Sequence, residues 1–358
     1  MKIVIEAYEP RHVSAVRSFN ARLQTQAGSP FRLAEHPRDA SPRREYLALD
    51  SGGEVRGSFS LKQQEFLIDG QTLQVGNCQL PLSEGIFDPK YANLAMTLLR
   101  HALVLQPRLF CLGMGGRDKR LPRMLSAMRW TLIDIPFLFR VIRPQRFLRN
   151  IVPLRHTVQQ RLFMDALALS GSGWLGIHLL QARRPSALSV AVEDVSEFGA
   201  WADEVWKRST RQLSFCAVRT SRVLNQLYGG PSFLRLKMSR EGEAVGWAVL
   251  RDTQMHAHRY FGDLRVAAIV DAMAVPESAS AVARAASRFV ESREADLIVS
   301  NQAHALWVRG LRDCGFLSGP SNYVLAMSPA LSALMQPLAI HQPRLHVTRG
   351  DGDGPLDL

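Results

Sequence analysis

The sequence predicts an α+β (mixed α/β) protein of two tandem units, each a central, mostly antiparallel sheet flanked by helices. Three observations carry that expectation. Hydrophobic residues make up 46% of the 358, enough to bury the cores of two domains of ordinary size. Apolar stretches joined by tight turns read as antiparallel hairpins in both halves. A strand–helix–strand–helix run that closes on an aromatic residue occurs twice, once before residue 130 and once before residue 316.

Taken in order, residues 2–7 read as an edge strand, and Val13, Val16, Phe19 and Leu23 fall at helical spacing. Residues 28–45 are rich in Pro, Arg and Ser and read as a loop. Tyr46–Leu49 and Val55–Leu61 form a hairpin across Gly52-Gly53, and a second pair turns at Asp69-Gly70. Residues 137–182 interleave apolar residues with Arg143, Arg146, Arg149, Arg155 and Arg161 and almost no acids. That pattern suits a helix packed on both halves, and it also suits a helix lying on a membrane surface. Trp201, Val205 and Trp206 open a second helix-first unit. Leu234–Met238 and Ala244–Leu250 form its hairpin across Glu241-Gly242, and Val266–Val275 is an apolar strand. The pattern thins after Ala330. The expected organisation is 1–142 and 191–330 as the two units, 143–190 as a basic, apolar connection and 331–358 as a flexible tail.

The chain is basic, with net charge +12 and a pI near 10.1. This favours an anionic partner: a phosphate-bearing substrate, an anionic membrane surface or nucleic acid. A solvated basic surface accounts for it equally well. Cys78, Cys111, Cys216 and Cys314 form no CxxC pair, so neither a disulfide framework nor a zinc site is expected. The first residues do not read as a secretory signal, no window offers eighteen uninterrupted apolar residues, and a reducing, cytoplasmic setting follows. GxSxG, P-loop and HExxH signatures are missing.

The two runs are EGIFDPKYANLAMTLLRHAL…RLFCLGMGGRDKRLPRMLSAMRW and DAMAVPESASAVARAASRFV…DLIVSNQAHALWVRGLRDCGF. Each has an acid five residues before a proline, Glu84 before Pro89 and Asp271 before Pro276. From proline to closing aromatic is 41 positions to Trp130 and 40 to Phe316. This reads as an internal duplication. A strand running into a helix gathers free N–H groups and the positive end of the helix dipole at one spot, which favours phosphate.

On these residues both halves resemble the GNAT (Gcn5-related N-acetyltransferase) superfamily, and their tandem arrangement is similar to FemAB-like proteins. VRTSRVLNQLYGGPSFLRL, with its Arg-led R-x-x-x-x-L-N helix, also resembles GNAT-like proteins associated with exopolysaccharide gene clusters. The resemblance implies an acyl-CoA-dependent N- or O-acyltransferase, acetyl-CoA or another acyl-CoA being the donor substrate and a sugar or envelope/polysaccharide precursor, free or lipid-linked, the acceptor. It places acyl-CoA at Val275, Ser278, Ser280, Ala281 and Asn301. The catalytic carboxylates it implies are Asp271, in the cleft of the second half, and Glu84, in a degenerate first half. Departures from the family pattern are plain. Neither phosphate loop keeps its glycines, and the family's general-acid tyrosine is replaced by Leu125 and Leu311. Those losses leave two other readings open: a non-catalytic scaffold, and FemAB-like aminoacyl transfer from tRNA.

Each candidate has a plainer reading beside it. Glu84 and Asp271 among apolar neighbours can be bases with raised pKa or structural carboxylates bonded to backbone. His256 and His258 lack further metal ligands nearby and read as loop residues. His304 opens the last helix of the second run; it is a proton carrier in one reading and, with the stronger claim, a surface residue in the other. Arg117, Lys119, Arg120 and Arg123 hold an anion or form a solvated helix face.

Overall fold

The computed structural model describes residues 2–28, 31–37, 43–182 and 189–352. Part of the expected loop at 28–45 and the last six residues of the expected tail, 353–358, lie outside them. The chain begins with β1 (Val4–Ala7), α1 (Val13–Ala27), β2 (Arg43–Leu49), β3 (Val55–Ile68), β4 (Gln71–Ser83), α2 (Leu94–Leu105), β5 (Leu109–Met114), α3 (Arg120–Ala127) and β6 (Thr131–Asp134). Next come β7 (Phe137–Val141), α4 (Pro144–Asn150), α5 (Val158–Ser170) and α6 (Ser172–Leu180). They are followed by β8 (Ala191–Asp194), α7 (Ala200–Ser209), β9 (Phe215–Ala217), α8 (Ser221–Tyr228), β10 (Leu234–Arg240), β11 (Glu243–Gln254) and β12 (Arg265–Ala274). The last elements are α9 (Ala279–Glu291), β13 (Leu297–Asn301), α10 (Ala305–Asp313), β14 (Leu317–Gly319), β15 (Tyr323–Met327), α11 (Pro329–Ala333), α12 (Leu338–His341) and β16 (Leu345–His346).

These elements fall into two compact units. The first holds Met1–Phe66, Thr72–Ile133 and Val324–Met335; the second holds Leu67–Gln71, Asp134–Tyr323 and Gln336–Leu358. The sheet of the first runs β1-β2-β3-β4-β5-β15-β6, and that of the second β14-β7-β13-β12-β11-β10-β8. Each sheet therefore contains a strand from the far part of the chain. β7, assigned by pattern to the first half, pairs antiparallel with β13, Val141 opposite Leu297. β15, assigned to the second, lies between β5 and β6. Backbone edges make these pairings, so side-chain patterning does not reveal which sheet receives a strand.

The duplicated run is repeated in geometry. β4 pairs parallel with β5 at Gly76 and Asn77, as β12 does with β13 from Val266 to Ile269. Pro89 and Pro276 each start a short 3-10 turn ahead of the next helix, where a missing N–H costs nothing. At the end of each run a left-handed residue, Arg129 at φ 61° or Gly315 at φ 86°, reverses the chain. The buried aromatic that follows donates its N–H to a leucine carbonyl, Trp130 to Leu125 and Phe316 to Leu311. Glycine takes that conformation without strain, whereas Arg129 is forced into it, which marks the first run as the more diverged.

The second sheet is buried on both faces. Val266, Ala268 and Val270 of β12 pack with Trp247 and Val249 under α4, α5, α7 and α8. Ala267 and Ile269 pack with Ala248 and Leu250 against α9 and α10. Glycines facing α9 allow that close approach: a Cβ on Gly246 of β11 would stand 2.6 Å from the Val282 side chain, and one on Gly310 of α10 would stand 3.0 Å from Ser280 Cα. Residues 143–190, expected as a connection, carry α4–α6, whose Phe147, Leu148 and Ala168 join this core. The stretch expected as a flexible tail is built in as far as Gly352: β16 pairs with β9, Leu345 opposite Phe215, and Thr348 and Asp351 are buried.

Candidate functional site

β12 is the strand on which the site is built. Its register against β11 slips by one residue: Asp271 faces Val249 and Ile269 faces Leu250, which leaves Val270 as the extra residue of a bulge. Pairing with β13 ends at Ile269 opposite Ser300, while β12 continues to Ala274. The two parallel strands therefore separate, and a wedge opens between Asp271–Ala274 and the residues after Asn301.

The chain's own last described segment fills this wedge. The Ala303 N–H donates to the Val347 carbonyl at 3.0 Å, and Thr348 makes an antiparallel bridge with Gln302. Arg349 Nε donates to Asn301 Oδ1 at 3.0 Å. Thr348 Oγ1 donates to Asp271 Oδ1 at 3.1 Å.

Asp271 sits at the centre of a wholly buried charge cluster. Its Oδ2 accepts from Arg219 Nε at 2.7 Å and from Tyr228 Oη at 2.8 Å, and its Oδ1 also accepts from the Ala272 N–H at 3.0 Å. Arg219 Nη2 donates in turn to Asp351, which also receives the Thr348 N–H at 2.9 Å. Burial raises the Asp271 carboxyl above its ordinary range; Arg219 opposes that rise and Asp351 adds to it. Tyr228 and Cys216 are likewise pushed well up by burial. Every acceptor direction of Asp271 is thus engaged by protein donors, and the carboxylate holds the last segment against β12.

A pocket lies beside this cluster, lined by Met273 and Ala274 of β12, Ala279 of α9, Trp307 of α10, and His304 and His346. Its free space is about 20 Å³, room for one water. The two imidazole centroids are 6.3 Å apart. His304 Nδ1 accepts the Leu306 N–H and so caps α10, leaving Nε2 without a hydrogen bond. Nε2 of His346 also makes none, at 3.9 Å from Asp271 Oδ1. The Gln212 and Ala272 backbones give the protonated rings slight support, but burial dominates. It lowers His304 to about 4, with His346 adding to the effect, and His346 to about 4, with Arg219 adding. Both rings are neutral at physiological pH.

The residues singled out from the sequence are distributed as follows. Val275, Ser278 and Ala281 are buried around the start of α9, and Ser280 is half-buried beneath Gly310. Asn301 is turned to Arg349 and the Pro136 carbonyl. Glu84 belongs to the first unit, buried, accepting from Arg22 Nε at 2.7 Å and Arg56 Nη1 at 3.0 Å. His304 is 6% exposed, so the surface reading fails for it. His258 accepts two N–H groups within its own turn, from Tyr260 and Phe261. Arg219, Tyr228, His346, Thr348 and Asp351 were not singled out. Arg219 leads the R-x-x-x-x-L-N stretch, which was the available signal. Leu224 of that stretch is core, and Asn225 clamps Phe198 by exchanging hydrogen bonds with its N–H and carbonyl.

No family model matches the sequence, and no curated protein matches it. Among solved structures the chain is similar to a conserved protein of unknown function from Enterococcus faecalis V583, described as a probable N-acyltransferase. The identity is 9%, covering 91% of this chain and 72% of that one, with a TM-score of 0.53. It is similar to Saccharomyces cerevisiae N-myristoyltransferase with bound myristoyl-CoA, 8% identical over 92% of this chain and 79% of that one, TM-score 0.51. It is also similar to a GCN5-related N-acetyltransferase from Anabaena variabilis ATCC 29413, 8% identical over 91% and 72%, TM-score 0.53. At such identities the likeness speaks to architecture: two mostly antiparallel sheets flanked by helices, the GNAT fold of N-acyltransferases.

Proposed function

We propose that the protein is an acyl-CoA-dependent N- or O-acyltransferase whose reaction runs in the second unit, between β12 and the start of α9. The observation that carries this reading is the pair of neutral imidazoles, His304 and His346, facing one pocket at the bulged strand. Acyl transfer needs a group to take the proton from the attacking amine or hydroxyl, and neutral His346, whose Nε2 makes no hydrogen bond, has a lone pair to offer; the His304 lone pair is spent at Nδ1 on the Leu306 N–H, so its Nε2–H can only donate toward the pocket. An anionic substrate arriving nearby raises the basicity of both rings. The first N–H groups of α9, among the small side chains of Ala279, Ser280 and Ala281, suit the pyrophosphate of an acyl-CoA. Val275 and Ser278 lead into that turn. Asp271 acts at one remove, by holding Arg219 and the segment that carries His346.

The acceptor in this reading is a sugar or an envelope/polysaccharide precursor, and the donor is acetyl-CoA or a longer acyl-CoA. The protein works in the cytoplasm. A thioester enters the wedge when residues 345–351 shift, because the free space present holds only a water. That same filling favours a second reading, a GNAT-fold binding protein without catalysis. Acyl transfer from short and long acyl-CoAs to amino sugars and sugar nucleotides, measured for the wild type and for His346→Gln and His304→Gln, tests the proposal. A rate that drops at least tenfold in one variant supports it. Turnover equal in all three removes the histidines from the reaction, and no turnover with any donor favours the binding protein.

A further inference from the structure

The surface of α5 and α6 is unlike the rest of the second unit. Met164, Leu167, Ala168 and Ile177 face inward and pack on the core. On the outside, Leu162 is 67% exposed, Phe163 60%, Leu169 73%, Leu179 69% and Leu180 70%, with Trp174 half-exposed between the helices. On α5, Val158, Leu162 and Leu169 recur at intervals of four and seven, so they form one stripe along the side away from the core. A Cβ on Gly173 would stand 2.5 Å from the Leu148 side chain of α4 and 2.9 Å from the Leu167 carbonyl of α5; its absence lets α6 pack close against both, and α5 and α6 each carry exposed apolar residues. A face of this size, rimmed by charge, marks an interaction surface.

The rim is of one sign. Residues 137–181 contain six arginines, no lysine and a single acid, Asp165, and Arg155 already covers that acid with two hydrogen bonds. Arg149 and Arg161 are exposed, and neither forms an ion pair among the described residues. Leucines, a phenylalanine and a tryptophan set beside exposed arginines that form no salt bridge among the described residues, Arg161 Nε donating only to the Arg155 carbonyl, complement a layer that is apolar inside and negative at its surface.

We propose that α5 and α6 dock the protein in plane on an anionic lipid bilayer, the leucine stripe entering the acyl boundary and Arg149 and Arg161 lying among the headgroups. This inference stands independently of the acyl-transfer reading. A lipid-linked or membrane-proximal acceptor would be brought to the second unit by it.

Flotation of the full-length protein with vesicles of phosphatidylcholine, with and without phosphatidylglycerol, tests the proposal. The wild type is expected to float with the phosphatidylglycerol vesicles at low salt and to be released by added salt. Leu162→Gln/Leu169→Gln/Leu179→Gln, all at exposed positions, should keep the wild-type melting curve and lose at least tenfold in partitioning. Arg149→Gln/Arg161→Gln should lose about fivefold per arginine on phosphatidylglycerol vesicles only. The proposal is overturned if the wild type fails to float at low salt, or if the leucine variant floats as well as the wild type. It is also overturned if sedimentation shows that the leucines hold two copies of the chain together and the dimer ignores vesicles.

Discussion

Arg219 Nε and Asp271 Oδ2 lie 2.7 Å apart, and neither side chain has any solvent exposure. The two residues are 52 positions apart, and Asp351, a further 80 along, closes the same cluster. One cation thus fastens the bulged strand, the helix that opens with Ser221 and the last described segment of the chain. Its removal would leave two buried carboxylates without a counter-charge, the costliest way to break such a cluster.

Arg219→Met is therefore expected to destabilise the protein by about 4 kcal/mol, and Asp271→Asn by about 2 kcal/mol, because Arg219 keeps Asp351 in the second case. Urea unfolding of both variants checks the order. Equal losses would mean that Asp351 contributes nothing to holding Arg219.

Gly350 touches the same cluster from the other side. A Cβ there would lie 2.0 Å from Tyr228 Oη, so Gly350→Ala must push Tyr228 off Asp271 or lift the segment out of the wedge. Either way the expected loss is about 2–4 kcal/mol. Urea unfolding of Gly350→Ala at neutral pH measures it, with a loss below 1 kcal/mol as the contrary result.

The two histidines make stability depend on pH with a definite sign. Each is held near 4 in the folded state, against an ordinary value of 6.5, so the unfolded chain binds more protons between those limits. Stability is full above about 6.5 and falls as pH drops toward 4, by about 2 kcal/mol per histidine at pH 5. His346→Asn should flatten that part of the profile. A profile with the same slope in the variant would place the titration elsewhere.

In the first unit Glu84, five residues before its proline as Asp271 is before its own, opens a 3-10 turn just past β4 rather than lying within the strand, buried under Arg22 and Arg56. Glu84→Gln should cost about 2 kcal/mol in unfolding and leave acyl transfer per folded molecule unchanged. A matching loss of turnover at full folding would restore Glu84 as a catalytic group.

Much of this architecture was legible in the side chains. The proline-to-aromatic spacing, the acid five residues earlier and the closing turn recur because each has a local cause: a strand end, a first helical turn, a left-handed reversal. The environment of each acid was not legible. Arg22 reaches Glu84 across 62 residues and Asp351 reaches Arg219 across 132, and neither distance leaves a periodic trace. β7 and β15 fall in the sheet of the other unit for a related reason, since the backbone groups that pair a strand carry no label for its sheet. The segment 345–351 reads as tail because the apolar periodicity thins after Ala330, yet its Thr348 and Asp351 complete a buried charge cluster at the wedge.

Thermal unfolding of the full-length protein with increasing acetyl-CoA, a longer acyl-CoA and free CoA tests the central claim most directly, because a ligand that binds only the folded state raises the midpoint. A saturable rise with at least one acyl-CoA, reduced in His346→Gln, is the predicted result. An unchanged midpoint at millimolar ligand would contradict the acyltransferase reading and leave a GNAT fold that binds something else.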